Sequence, residues 1–325
     1  MKAGIFMNYI VLDFEWNQSP VKEKSKPGIP FEIIEIGAVK LDENRQITDS
    51  FSQTIRPKIY PELHFKTKEL TKITEEELAQ GQDFEDAAMD FLFWCGEDYL
   101  FCTWGNMDLT EFQRNLTYYK MLDFLEGPVK YYNIQKIFRL FYDDRHLTSS
   151  LEHAAEYFNI KSSGDFHRAV NDAAYTAQIF ARMDLSLAEK NYTVDYYQYP
   201  QWKKEEIHLT YDHYYKYISR GYKTKEFALE DREVKATRCF KCGKTAPKKI
   251  RWFSSKTKNY YCLAYCSEHG YIRGKIKLKR MDDGKIIAVK TLRPANEEMI
   301  QEIYRIKKEV IAKRREKRHK GCEDV

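Results

Sequence analysis

No apolar run in this 325-residue chain approaches the roughly 20 residues that a membrane-spanning helix requires, so no membrane partner is expected. The opening Met1-Lys2-Ala3-Gly4-Ile5-Phe6 is too short for a signal peptide, because a strand-like stretch follows at once. Cysteine is scarce and odd in number, seven in all, and several fall in C-x-x-C spacing. That pattern fits a metal site in a reducing cytoplasm better than a secreted disulfide framework. No internal repeat is visible.

What is present describes a globular protein. Hydrophobic residues make up 43% and aromatics 15%, and the length suggests about two domains with a core large enough to need no disulfide staples. The net charge of +5 hides an asymmetry: residues 1–185 hold 20 Lys/Arg against 30 Asp/Glu, and residues 186–325 hold 34 against 19. A basic second half points to nucleic acid or another polyanion as its partner, with a merely solvated basic surface as the competing use.

The chain organises around Val11-Leu12-Asp13-Phe14-Glu15-Trp16, where an apolar run from Tyr9 ends in two acids. On a strand, residues i and i+2 share a face, so Asp13 and Glu15 project side by side. Like charges that close repel, and a hard divalent cation such as Mg²⁺ or Mn²⁺ is the usual resolution. Phe31–Leu41 and Ile47–Arg56 then read as strands of an antiparallel meander. Short helical stretches follow in 67–80, and an amphipathic helix spans Asp83–Cys95. Tyr99–Thr103 is a strand, and Asp108 stands just past it at a strand-to-helix junction, where α/β sites assemble. Further helices are expected over Ile134–Phe141, Leu151–Phe158 and His167–Leu187. On that last helix His167 and Asp172 would be about 140° apart, so helix geometry alone does not bring them together.

Acids and histidine in the order D-x-E, D, H-x-x-x-x-D resemble the DEDDh branch of the DEDD exonuclease superfamily, which has an RNase H-like fold. The resemblance covers residues 9–185, through FEIIEIGAVKL, TWGNMDLTEF and GDFHRAVNDAAYTAQIF. Its D-F-E form looks most like the Eri-like RNA exonucleases, which favours RNA over DNA. The resemblance implies two Mg²⁺ or Mn²⁺ ions held by Asp13, Glu15, Asp108 and Asp172. It also implies His167 as general base, and 3′-to-5′ hydrolysis that releases 5′ nucleoside monophosphates from single strands or 3′ overhangs. Phe14 and Trp104 are candidates for packing against the terminal nucleotide, with core packing as their competing use. Trp16 departs from the Thr, Ser or Ala that many members carry there.

The expected organisation is an α/β exonuclease domain over 1–187, with a mixed sheet flanked by helices, and a Tyr/Lys-rich connecting region over 188–235. A zinc-ribbon-like β-rich module over 236–290 and a basic helix and tail over 291–325 complete it. In the module, Cys239-x-x-Cys242 and Cys266-x-x-His269 repeat one knuckle with a trailing Gly, which suits one tetrahedral Zn²⁺; Cys262 is the rival ligand. The competing function from another class is a nucleic-acid-binding or regulatory protein on a nuclease fold that no longer cuts, but the ligand set is complete. A third reading gives the C-terminal region a protein partner.

Overall fold

An apolar strand with acids at one end needs a sheet on both sides to bury it. The computed structural model supplies one, and describes all residues except 1–6, 20–25, 27, 144–148, 162–165, 257 and 324–325. Side chains at 256, 314 and 316–323 also lie outside the described residues, which takes in most of the basic tail. The chain forms two compact units, Met1–Gln198 and Tyr199–Val325.

In the first unit the elements run β1 (Asn8–Gln18), β2 (Phe31–Leu41), β3 (Ile47–Thr54), α1 (Phe65–Thr71), α2 (Glu75–Ala79), α3 (Phe84–Cys95), β4 (Tyr99–Thr103) and α4 (Met107–Tyr118). They continue with β5 (Lys130–Asn133), α5 (Ile134–Phe141), α6 (Leu151–Tyr157), α7 (Ala169–Arg182), α8 (Leu185–Lys190) and β6 (Thr193–Val194). The sheet order is β3-β2-β1-β4-β5-β6, antiparallel except for the parallel pairs β1–β4 and β4–β5. The α/β mixed sheet flanked by helices is therefore as expected.

Alternation along β1 sorts the core. Tyr9 and Val11 join a cluster with Ala173, Ala177 and Phe180 of α7. Ile10, Leu12 and Phe14 join the other, with Phe91 of α3 and Phe112 of α4. Asp13 and Glu15 thus belong to the α7 face, and Phe14 to the opposite one.

The N-terminus of α7 lies directly on β2. A Cβ at Gly37 would stand 2.0 Å from the Val170 nitrogen and 2.1 Å from the Ala169 carbonyl carbon, so only glycine permits this approach. Two residues earlier on the same face, Glu35 is 1% exposed. It accepts 3.1 and 2.7 Å bonds from Arg168 Nε and Nη2, and a 2.9 Å bond from the Ala169 N–H. A carboxylate on β2 therefore caps the open donors of α7.

The second unit contains β7 (Ile207–Thr210), β8 (Tyr215–Ile218), α9 (Lys225–Glu230), α10 (Arg232–Lys235), β9 (Lys248–Lys256), β10 (Asn259–Cys266), β11 (Gly270–Arg280), β12 (Ile286–Pro294) and α11 (Glu297–Glu323). Its strands form one sheet in the order β7-β8-β12-β11-β10-β9. The Tyr/Lys-rich region is accordingly not a separate connector. It is divided at Gln198, and β7 and β8 extend the second sheet. The physical reason lies in its aromatics: Tyr211, Tyr217 and Tyr222 are buried, and Tyr217 and Tyr222 pack with Ile276, Leu278 and Ala288.

Gly37→Ala is expected to destabilise the first unit by about 2 kcal/mol or more, because a methyl group must displace helix backbone. Chemical denaturation measures this, and an unchanged midpoint would contradict the close contact.

Candidate active site

The site is assembled from three segments that the sheet brings together. β1 contributes Asp13 and Glu15, which pair with Gly37 and Glu35 across β2. β4 runs parallel to β1 with Thr103 opposite Leu12, so the chain leaving β4 emerges next to Asp13 and delivers Asp108 in the first turn of α4. The third segment is 167–172. The helix anticipated from His167 to Leu187 begins instead at Ala169 and breaks after Arg182, with α8 following. His167 precedes it in a left-handed conformation, φ 68°. That conformation is uncommon for a non-glycine residue and marks local strain of the kind found at functional sites. The turn returns the His167 N–H to Asp172 Oδ2 at 3.1 Å. Ligand atoms of Glu15, His167 and Asp172 all lie within 4.8 Å of one another. The 140° separation of an unbroken helix does not apply, because His167 is not on the helix.

Electrostatics describe a cage short of positive charge. Burial, and then the neighbouring carboxylates of Asp108, Glu15 and Asp172, push Asp13 well above the ordinary range. Burial first and Asp172 next raise Glu15 to about 8, although Arg168 opposes them. Burial takes Asp108 to about 7 against its own N–H and that of Phe14. Burial also takes Asp172 to about 6 against the His167 N–H. Asp172 Oδ1 is buried without a hydrogen-bond partner. Four carboxylates with an orphaned oxygen and an imidazole form a hard-oxygen donor set that fits divalent cations.

Not every residue singled out in the sequence belongs to this site. Phe14 is 2% exposed and packs against Phe91 and Phe112, so it is core and offers no surface to a nucleotide. It touches the site only through its backbone N–H. Trp104 is half-buried and packs with Phe138. Trp16 lies against Phe31, beside a register shift in the β1–β2 pairing. Two residues the motif order did not single out are Glu35 and Arg168, which fix the segment carrying His167. A signal existed: a carboxylate inside Ile33-Ile34-Glu35-Ile36 must be paired if it is buried.

In the second unit, Cys239, Cys242, Cys266 and His269 converge within 4.8 Å. Cys239 Sγ is 3.6 Å from His269 Nδ1, and Cys242 Sγ is 3.7 Å from Cys266 Sγ. A tetrahedron with ligands about 2.0–2.3 Å from Zn²⁺ has edges of about 3.3–3.8 Å, so the set fits. Gly243 and Gly270, which close the two knuckles, both have positive φ. The Cys266 thiol is lowered to about 6, first by the Glu268 N–H and then by His269. Cys262 is fully buried beside Gly274, and its thiol is pushed up to about 12 by burial. Four residues along an extended strand it is about 13 Å from Cys266, too far to share an ion.

The raised carboxyls are harder to ionise folded than unfolded. In metal-free protein they favour the fold most below their ordinary pKa near 4, and that contribution is lost as pH rises through about 6, 7 and 8. A divalent cation would bind the ionised cage, so its stabilising effect should grow from pH 5 to pH 8. At a hundredfold excess over Kd it should reach about 2.7 kcal/mol. Thermal melts with and without metal test this; a cation effect independent of pH would contradict it.

Comparison with known proteins places this geometry in a family. The family model described as an exonuclease, RNase_T, matches residues 10–180. The probable 3′–5′ exonuclease KapD of Bacillus subtilis is 30% identical over 172 residues, 53% of this chain and 82% of that protein. Human 3′–5′ exoribonuclease 1 is 26% identical over 56% of this chain and 54% of its own length. Among solved structures, the nuclease domain of 3′hExo, a DEDDh family member bound to rAMP, matches with a TM-score of 0.50 and 24% identity. That match covers 59% of this chain and 98% of the solved one, and supports the RNase H-like fold. The chain belongs to the RNase_T exonuclease family.

Proposed function

We propose that the chain degrades RNA from the 3′ end, taking single strands or 3′ overhangs, with two Mg²⁺ or Mn²⁺ ions held by Asp13, Glu15, Asp108 and Asp172. The observation that carries this is the convergence of Glu15, His167 and Asp172 within 4.8 Å, beside a buried Asp13 whose carboxyl is pushed up by burial and by Asp108, Glu15 and Asp172. Bound cations would offset the charge of the scissile phosphate and its leaving 3′ oxygen, and would acidify a water. His167 accepts the proton of the attacking water, its ring lying beside Glu15 and Asp172. Glu35, through Arg168, holds the segment on which that ring is presented. In-line attack on the last phosphodiester then frees a 5′ nucleoside monophosphate. RNA is favoured by the D-F-E form of the first motif, by the exoribonuclease among the relatives, and by the rAMP in the solved nuclease domain.

Zn²⁺ bound by Cys239, Cys242, Cys266 and His269 has a structural role, tying the 239–243 turn to the end of β10. The tetrahedral spacing of the four ligand atoms supports this. A reducing, cytoplasmic compartment suits its free thiols.

Three substitutions test the reading. Asp13→Asn removes a charge-neutralising ligand and should lower the hydrolysis rate by about 10²-fold or more. Retained metal-dependent cleavage by that variant would overturn the cage. His167→Ala should lose most of the rate, keep its metal-dependent thermal shift, and lose the limb of the pH–rate profile that reports a general base. An unchanged profile would refute that role. Cys239→Ser should lose stoichiometric zinc by metal analysis, and a full complement in that variant would count against this ligand set.

A further inference from the structure

The sheet of the second unit has one face built from Ile272, Gly274, Ile276 and Leu278, and part of it packs with Ala228 and Val234 of α9 and α10. By alternation, the other face of β11 carries Tyr271, Arg273, Lys275, Lys277 and Lys279. The helix α11 covers only the beginning of that face. Its Ile300 and Ile303 pack with Ile250 and Leu263, with the half-buried rings of Phe253, Tyr261 and Tyr271 at the edge of that cluster, and its Glu302 pairs with Arg273 at 3.0 Å. Past that point the compensation stops. Lys275 and Lys277 form no ion pair among the described residues, and Lys277 is exposed.

The strands on either side add no acid. Lys275 pairs with Tyr261 of β10 and Thr291 of β12, and Lys277 pairs with Asn259 and Val289. Arg273 stands opposite Arg293, and Glu302 of α11 offsets that like-charge pair, so the cations left uncompensated lie beyond it. Although Lys277 is exposed, it is held below its usual range, first by partial loss of water around its ammonium group and then by Lys279, Lys275 and Lys258. Aromatic rings are interleaved with these cations: Phe253 pairs with Tyr261 across β9 and β10, and Arg273 and Lys275 lie 5.4 and 5.9 Å from the centroid of the Tyr261 ring.

We infer that this face of β11 and β10 is a platform for single-stranded nucleic acid, with Lys275 and Lys277 on consecutive phosphates and Tyr261 stacked under a base. The inference rests on the proposed nuclease reading for the identity of the polyanion. Same-face cations along one strand recur about every 6.7 Å, a repeat that an extended phosphodiester backbone can follow. Rows of cations beside aromatic rings are how sequence-tolerant strand binding is built. An acidic peptide would use the charges but not the ring.

The test uses the full chain carrying Asp13→Asn, so that the strand persists, and fluorescence anisotropy of a fluorescein-labelled oligouridylate. Adding Lys275→Ala with Lys277→Ala should weaken binding about tenfold at moderate salt. It should also reduce the slope of log K against log salt by about 1.4, which is about 0.7 for each lost phosphate contact. Tyr261→Leu should weaken binding with the slope unchanged, and the Lys→Arg pair should retain it. Equal melting temperatures show that the variants are folded. Unchanged affinity and slope in the double alanine variant would overturn the platform. So would a loss of binding confined to a polyglutamate peptide. Binding is read here without cleavage, whereas failure of the nuclease reading would appear as the unsubstituted chain leaving the same oligonucleotide intact.

Discussion

Four carboxylates held in one enclosed space are the constraint on which the first unit depends. Asp13, Glu15, Asp108 and Asp172 repel one another, and each is further penalised by loss of water. Such a cluster persists only if the backbone around it is strongly determined. The determinants are specific: the parallel β1–β4 pair fixes Asp108 next to Asp13, Gly37 lets α7 rest on β2, and Glu35 clamps Arg168 and the first amide of α7. Stability given up at the cage is recovered in the cores on either side of β1 and in cations that the cage is shaped to bind.

The Glu35–Arg168 pair links fold to chemistry. Glu35 is buried and Arg168 only partly so, and Arg168 Nε and Nη2 both donate to Glu35 Oε1. Arg168 directly follows His167, and the Ala169 amide bonds to the same carboxylate. The left-handed backbone at His167 is therefore pinned on its C-terminal side by β2 and by the return of its own N–H to Asp172. In the proposed role of general base, a flexible histidine would have to be ordered in each cycle, whereas the backbone of this one is placed in advance.

Much of this was legible in the sequence, for physical reasons that differ by element. Apolar runs bounded by polar turn residues revealed β1 and β2, with β3 following as the next strand of the meander, and the junction after β4 gave Asp108. Cysteine spacing gave the four converging ligands of the second unit, because short knuckles constrain geometry locally. What was not legible depended on tertiary context. The helix pattern ran through His167, and only the structure shows that the chain turns there to meet Asp172. Of the two uses open to Phe14, nucleotide contact and core packing, the structure shows the core one, as its alternation with Asp13 and Glu15 along β1 requires. The tyrosines of 188–235 read as part of a connecting region, yet Tyr217 is a core residue of a six-stranded sheet whose central strands come from later in the chain.

The central claim is that the caged carboxylates act, with divalent cations, on a free 3′ end. The most direct measurement follows 5′-end-labelled RNA and DNA of matched sequence, each with a free or a blocked 3′ terminus, incubated with the protein and Mg²⁺, Mn²⁺ or chelator. The account predicts stepwise shortening of the free-ended strands only when metal is present, faster for RNA, with 5′ nucleoside monophosphates as product. Internal cuts in the blocked strands, or shortening that persists in chelator, would contradict it.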